Sequence, residues 1–125
     1  MTDRVKQFID ALAKLEAEGD AAPIAALFAD GADISNPLGT HPSAGEGGAA
    51  AFWSAYRATF ETITSTFRTI VESGDVACLE WVSEATIDRA GVRYGGTSII
   101  EFGDQGIRAF RTYFDPEKLG RQVKA

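Results

Sequence analysis

Near Ser65 the apolar residues stop recurring at helical spacing and begin to alternate, which divides the chain into a helical first half and a stranded second half. Before that point, Val5, Phe8, Ile9, Leu12 and Leu15 mark an amphipathic helix, with Thr2 or Asp3 as its cap and Gly19 as its stop. Asp20 is placed to cap a second, shorter helix. Pro23 falls in its first turn, Ile24, Leu27 and Phe28 form its apolar face, and it ends before Gly31. A short strand beginning at Ala32 is broken by Pro37 and Gly39, and a loop through His41 follows. Phe52, Trp53, Tyr56 and Phe60 then place large aromatics along one side of a third helix, and that side must meet something apolar.

After Ser65 the alternation predicts strands over 65–73, 75–87, 92–102 and 106–115, with turns at Ser73-Gly74-Asp75, Arg89-Ala90-Gly91 and Gly103 to Gly106. Helices followed by an antiparallel meander make an α+β fold with the helices on one face of the sheet. A chain of 125 residues has room for one core, so a single domain over residues 1–125 is expected. The net charge of −6, with no cluster of Lys and Arg, argues against nucleic acid or an anionic membrane as partner. Cys78 has no second cysteine to pair with, and no amino-terminal apolar stretch resembles a signal peptide or membrane span, so a cytoplasmic location is the expectation.

Leu27-Phe28-Ala29-Asp30 leading into Ile34-Ser35-Asn36-Pro37-Leu38-Gly39, then Ala51-Phe52-Trp53, and finally Gly106 through Asp115, resemble the nuclear transport factor two-like superfamily. The nearest branches are the SnoaL-like polyketide cyclases, the ketosteroid isomerases and the limonene epoxide hydrolases. The resemblance covers nearly the whole chain. It implies a cone-shaped α+β barrel, with three N-terminal helices packed on a strongly curved antiparallel sheet, and homodimers formed through the outer sheet face, where Val82 and Tyr113 would lie.

The catalytic groups of the resembling enzymes do not carry over. Asn36 stands where the isomerases have the Asp that shuttles a proton, and an amide has no useful basicity. Leu12 and Ser98 occupy the positions of the oxyanion-hole Tyr and protonated Asp. Phe28 and Trp53 replace supporting tyrosines, while Trp81, Ser83 and Thr112 replace the charged trio of the epoxide hydrolases.

Alternation puts Leu79, Trp81, Ser83 and Ala85 on one face of their strand, with Cys78, Glu80, Val82 and Glu84 on the other, and the resemblance assigns the first set to the cone interior. The expected cavity is lined by Leu12, Trp53, Tyr56, Trp81, Phe110 and Phe114, with Ser83, Ser98, Thr112 and Asn36 as polar points. The same aromatics would equally serve as plain core. Candidate catalytic groups are Asn36 and His41, the latter the only residue titrating near neutrality without perturbation. Asn36 is also placed to satisfy loop backbone beside Pro37, and His41 to be an ordinary loop residue. His41 has no second His or Cys at ligand spacing, so no metal is expected, and the glycines at 45, 47 and 48 follow no strand of a βαβ unit, so no dinucleotide signal is present and no cofactor is expected. The expected partner is an apolar small molecule in the cone. Two functions fit: isomerisation, cyclisation or hydration of a lipophilic cyclic compound (polyketide, terpenoid or steroid-like), or a non-catalytic ligand-binding or dimeric interaction module. A carboxylate inside the pocket would favour the enzyme, and the sequence suggests none.

Overall fold

The computed structural model describes residues 1–37 and 48–124. Its elements run α1 (Asp3–Glu18), α2 (Ala22–Ala25), β1 (Phe28–Ser35), α3 (Gly48–Ala58), β2 (Thr62–Ser73), β3 (Val76–Ile87), β4 (Ala90–Gly103), β5 (Gly106–Phe114) and α4 (Pro116–Lys124). The α+β class and the cone architecture are as expected. The helix α1 ends at Gly19, whose left-handed backbone turns its N–H back to the Leu15 carbonyl at 2.8 Å. Asp20, expected as the cap of α2, lies one residue before the cap position, which is Ala21, and accepts from the Ala22 N–H at 3.1 Å in a local turn.

The strands β2 to β5 form an antiparallel meander, in the sheet order β1-β5-β4-β3-β2. Bulges at Phe67/Thr69 in the β2–β3 pairing and at Glu101/Phe102 in the β4–β5 pairing each insert one extra residue, Arg68 and Arg108. Such insertions bend the strands that carry them and help to curve the sheet over the helices. The inner face of β3 carries Ala77, Leu79, Trp81, Ser83 and Ala85, all buried, while Glu80 and Glu84 are exposed. The predicted register of this strand therefore holds.

Three local expectations are corrected. The helix α2 is a single turn, and Phe28 belongs not to its apolar face but to the start of β1, which begins four residues earlier than the predicted strand. That strand pairs parallel with β5, Ile34 beside Phe110 and Ser35 beside Arg111, so the antiparallel meander gains one parallel edge. A further element, α4, follows the sheet. Asp115 caps it, accepting from the Glu117 and Lys118 N–H groups, and Pro116 occupies its first position. Leu119 and Val123 seat it against Phe60, Ile63, Trp81, Tyr94 and Phe114. The Gln122 amide then exchanges two 2.8 Å bonds with the Arg93 backbone, where β4 runs on beyond its pairing with β5.

Candidate functional site

The cone interior separates into two packed groups. In the first, Trp53 from α3 stands among Phe8, Phe28, Phe52, Tyr56 and Phe110, with ring centroids 5.0 to 6.0 Å away. Leu12 is buried in the same group. In the second, Trp81 stands edge-on to Tyr94 at 5.3 Å and to Phe114 at 6.3 Å. Of the expected apolar lining, Leu12, Trp53 and Phe110 belong to the first group, Trp81 and Phe114 to the second, and Tyr56 packs against both.

The polar points of the second group satisfy one another. Trp81 donates from Nε1 to Ser98 Oγ at 3.0 Å, and Ser98 donates to Thr112 Oγ1 at 2.9 Å. This chain crosses three neighbouring strands and depends on Gly96, the register partner of Trp81. A Cβ at Gly96 would lie 2.5 Å from Trp81 Cζ2, so only glycine leaves room for the indole to lie across β4 toward Ser98. Asn36, half-buried, directly follows β1. His41 lies outside the described residues.

The feature not anticipated is a buried carboxylate. Glu16, near the end of α1, is only 6% exposed. Its Oε2 accepts from Tyr56 Oη at 2.6 Å and from Ser65 Oγ at 2.7 Å, and its Oε1 accepts from the Ser65 N–H at 2.8 Å. Ser65 Oγ also lies 2.6 Å from Ser83 Oγ. Ser65 has one hydroxyl proton, already given to Glu16, so Ser83 is the donor of that pair. A row of hydroxyls from β3 and β2 thus converges on one carboxylate. Arg57 fixes the helix ends around it, donating from Nε to the Glu16 carbonyl at 3.1 Å and from a terminal nitrogen to the Phe60 carbonyl at 2.8 Å. Phe8, Leu12 and Glu16 are spaced four apart on one helix face, so the pattern that marked the core also contained the carboxylate.

The Tyr56 and Tyr94 phenols are both held well above their ordinary value of 10.0. For Tyr56 the causes are burial, then the Glu16 charge and hydrogen bond, and for Tyr94 burial and then the Glu16 charge. Because the folded state holds these protons more tightly than the unfolded chain, their contribution is present in full below about pH 10 and is lost as the pH rises above it. In an alkaline titration followed at 295 nm, two of the three tyrosines are expected to stay protonated until the circular dichroism of the fold collapses. Three ionisations in a still-folded protein would contradict the buried network.

Among the described residues no three His, Cys, Asp or Glu side chains are grouped to hold a metal ion, and no helix is long and apolar enough to cross a membrane. The family model for the SnoaL-like domain matches residues 5–115. The chain belongs to the SnoaL-like domain family. Comparison with curated protein sequences gives no match. Among solved structures, this SnoaL-like chain is similar to a provisionally assigned polyketide cyclase from Acidithiobacillus ferrooxidans, with 13% identity and a TM-score of 0.83 over 99% of this chain and 96% of that one. A hypothetical protein of ketosteroid isomerase-like fold from Catenulispora acidiphila, in complex with trimethylamine, gives 16% identity and 0.80 over 94% and 92%. An epoxide hydrolase of the LEH-like type from M. tuberculosis gives 16% and 0.73 over 98% and 91%. At these identities the likeness is one of fold.

Proposed function

We propose that the concave interior takes a lipophilic cyclic small molecule and that Glu16 moves a proton on it, in an isomerisation or in a cyclisation of the kind its polyketide cyclase neighbours are named for. The observation carrying this reading is the Glu16 carboxylate itself, which an aromatic core does not need and which is costly to bury. Three donors take up three of its roughly four lone-pair positions, leaving one on Oε1 for a carbon acid. The proton would pass from a carbon next to a carbonyl to that oxygen, the electron pair would move to the carbonyl oxygen, and the proton would return at a second carbon. The hydroxyl row orients the carboxylate. The specific substrate, whether polyketide, terpenoid or steroid-like, and any part played by Asn36 or His41 belong to the same proposal.

The test is hydrogen exchange at the α-carbons of 2-tetralone in deuterated buffer, followed by mass spectrometry. Wild type is expected to accelerate exchange, and Glu16→Gln to lower the acceleration by about a hundredfold or more with the circular dichroism retained. Exchange at the buffer rate in the presence of wild type would remove the enzymatic reading. The second reading, a non-catalytic binding or interaction module, is favoured by the close ring contacts of the two interior groups, which resemble ordinary core.

The outer sheet face carries exposed Val71 and Tyr113 beside half-buried Val82, and we propose that a second copy covers it, giving a homodimer. Light scattering is expected to give twice the 13.4 kDa chain mass. A monomer mass at high concentration, or a Tyr113→Lys variant with unchanged association, would reject this face as the interface.

A further inference from the structure

The two tryptophans of the interior are in opposite states. Trp81 spends its indole N–H on Ser98, whereas Trp53, 3% exposed, has a buried Nε1 with no hydrogen-bond partner among the described residues. Buried indole donors normally find an acceptor, and leaving one unpaired is costly. The neighbourhood explains why Trp53 has none. Of the five rings described around it, four are phenylalanines and offer no oxygen, and the fifth, Tyr56, turns its hydroxyl to Glu16 at 2.6 Å and takes no bond from the indole. Trp53 and Tyr56 are three residues apart on α3 and so share one face, their rings 5.6 Å apart. One helix face thus presents an unused donor next to the hydroxyl that touches the buried carboxylate.

We infer that the Trp53 indole N–H is the anchoring donor for a ligand oxygen, and that the ligand class is a cyclic ketone or quinone-like carbonyl compound and not a hydrocarbon. This rests on the reading of the interior as a ligand site. A single directional donor inside an apolar shell is how such sites fix orientation. With the carbonyl oxygen at Trp53, the adjacent carbon is carried toward Glu16. The same donor then meets the negative charge that forms on the oxygen when that carbon loses its proton to the carboxylate. Trp53 thereby assumes on α3 a role that Leu12 has no donor for and for which Ser98 has already given its one hydroxyl proton to Thr112.

The experiment compares 2-tetralone with tetralin, the same bicycle without the oxygen. In protein labelled with nitrogen-15 the two tryptophans give two indole cross-peaks, assigned through a Trp81→Phe variant. The ketone is expected to move the Trp53 proton downfield and to bind about threefold to tenfold more tightly than tetralin, the range of one net hydrogen bond. Tetralin is expected to leave that proton near its free position, and Trp53→Phe to abolish the preference while still binding both compounds. Equal binding of the two by wild type, or a Trp53 proton unmoved by the ketone, would overturn the inference and leave the N–H facing only ring faces. Binding of neither compound would overturn both the inference and the ligand-site reading. Loss of Glu16-dependent exchange with the ketone preference intact would support the anchoring role and fail the proton-transfer reading alone.

Discussion

Glu16→Ala is expected to lower the unfolding free energy by about 2–4 kcal/mol, a large part of the total stability of a domain this size. The loss does not come from the side chain's own packing. It comes from the Tyr56 hydroxyl and the Ser65 N–H and hydroxyl, which lose their common acceptor between α1, α3 and β2. Each buried donor left unpaired costs about 1–3 kcal/mol, and the half-buried positions of Tyr56 and Ser65 let water recover part of the sum. Glu16→Gln keeps a carbonyl oxygen for part of the network and is expected to cost about 1 kcal/mol. Tyr56→Phe removes one donor together with its need and should also cost about 1 kcal/mol. Urea unfolding with an unchanged m-value reads all three. An alanine variant as stable as wild type would show that the carboxylate is not held by these groups in solution.

Gly96→Ala is expected to be comparably damaging, about 2–4 kcal/mol, although glycine to alanine in a strand ordinarily helps. Here the new methyl would meet the Tyr113 carbonyl oxygen on β5 and the Trp81 ring on β3, at 2.5 Å from Cζ2 and 2.9 Å from Cη2. A backbone oxygen in a ladder has nowhere to go, so the indole must turn. Turning it breaks the Nε1 bond to Ser98, leaves Thr112 with a freed partner, and disturbs the contacts to Tyr94 and Phe114. The variant should show a lower urea midpoint and a changed indole cross-peak for Trp81 with that of Trp53 little altered. Unchanged stability would mean that Trp81 does not lie across β4 as described.

Two features outside the expectations, Glu16 and α4, have signals in the sequence itself. Glu16 falls four residues after Leu12 and eight after Phe8, on the buried stripe of α1, where a charged residue normally implies waiting partners. The run Asp115-Pro116-Glu117 followed by Leu119 and Val123 is a capped helix start with apolar residues four apart, which is α4. In contrast, nothing in the local pattern around Phe28 to Ser35 distinguishes the end of a short helix from the start of a strand. What settles it is a partner far along the chain, β5.

What the sequence determined by itself are the properties set by near neighbours: the span of α1, the meander, and the inward face of β3, where a side chain's direction follows from alternation alone. Only the tertiary structure decided which polar groups meet. Glu16 finds Tyr56 across 40 residues and Ser65 across 49, Trp81 finds Ser98, which in turn finds Thr112, and the Trp53 indole N–H finds no acceptor among the described residues. The physical reason is that periodicity fixes the face on which a residue lies. Whether a buried donor there is satisfied depends on groups delivered by other elements at distances of a few ångströms, which no local spacing encodes.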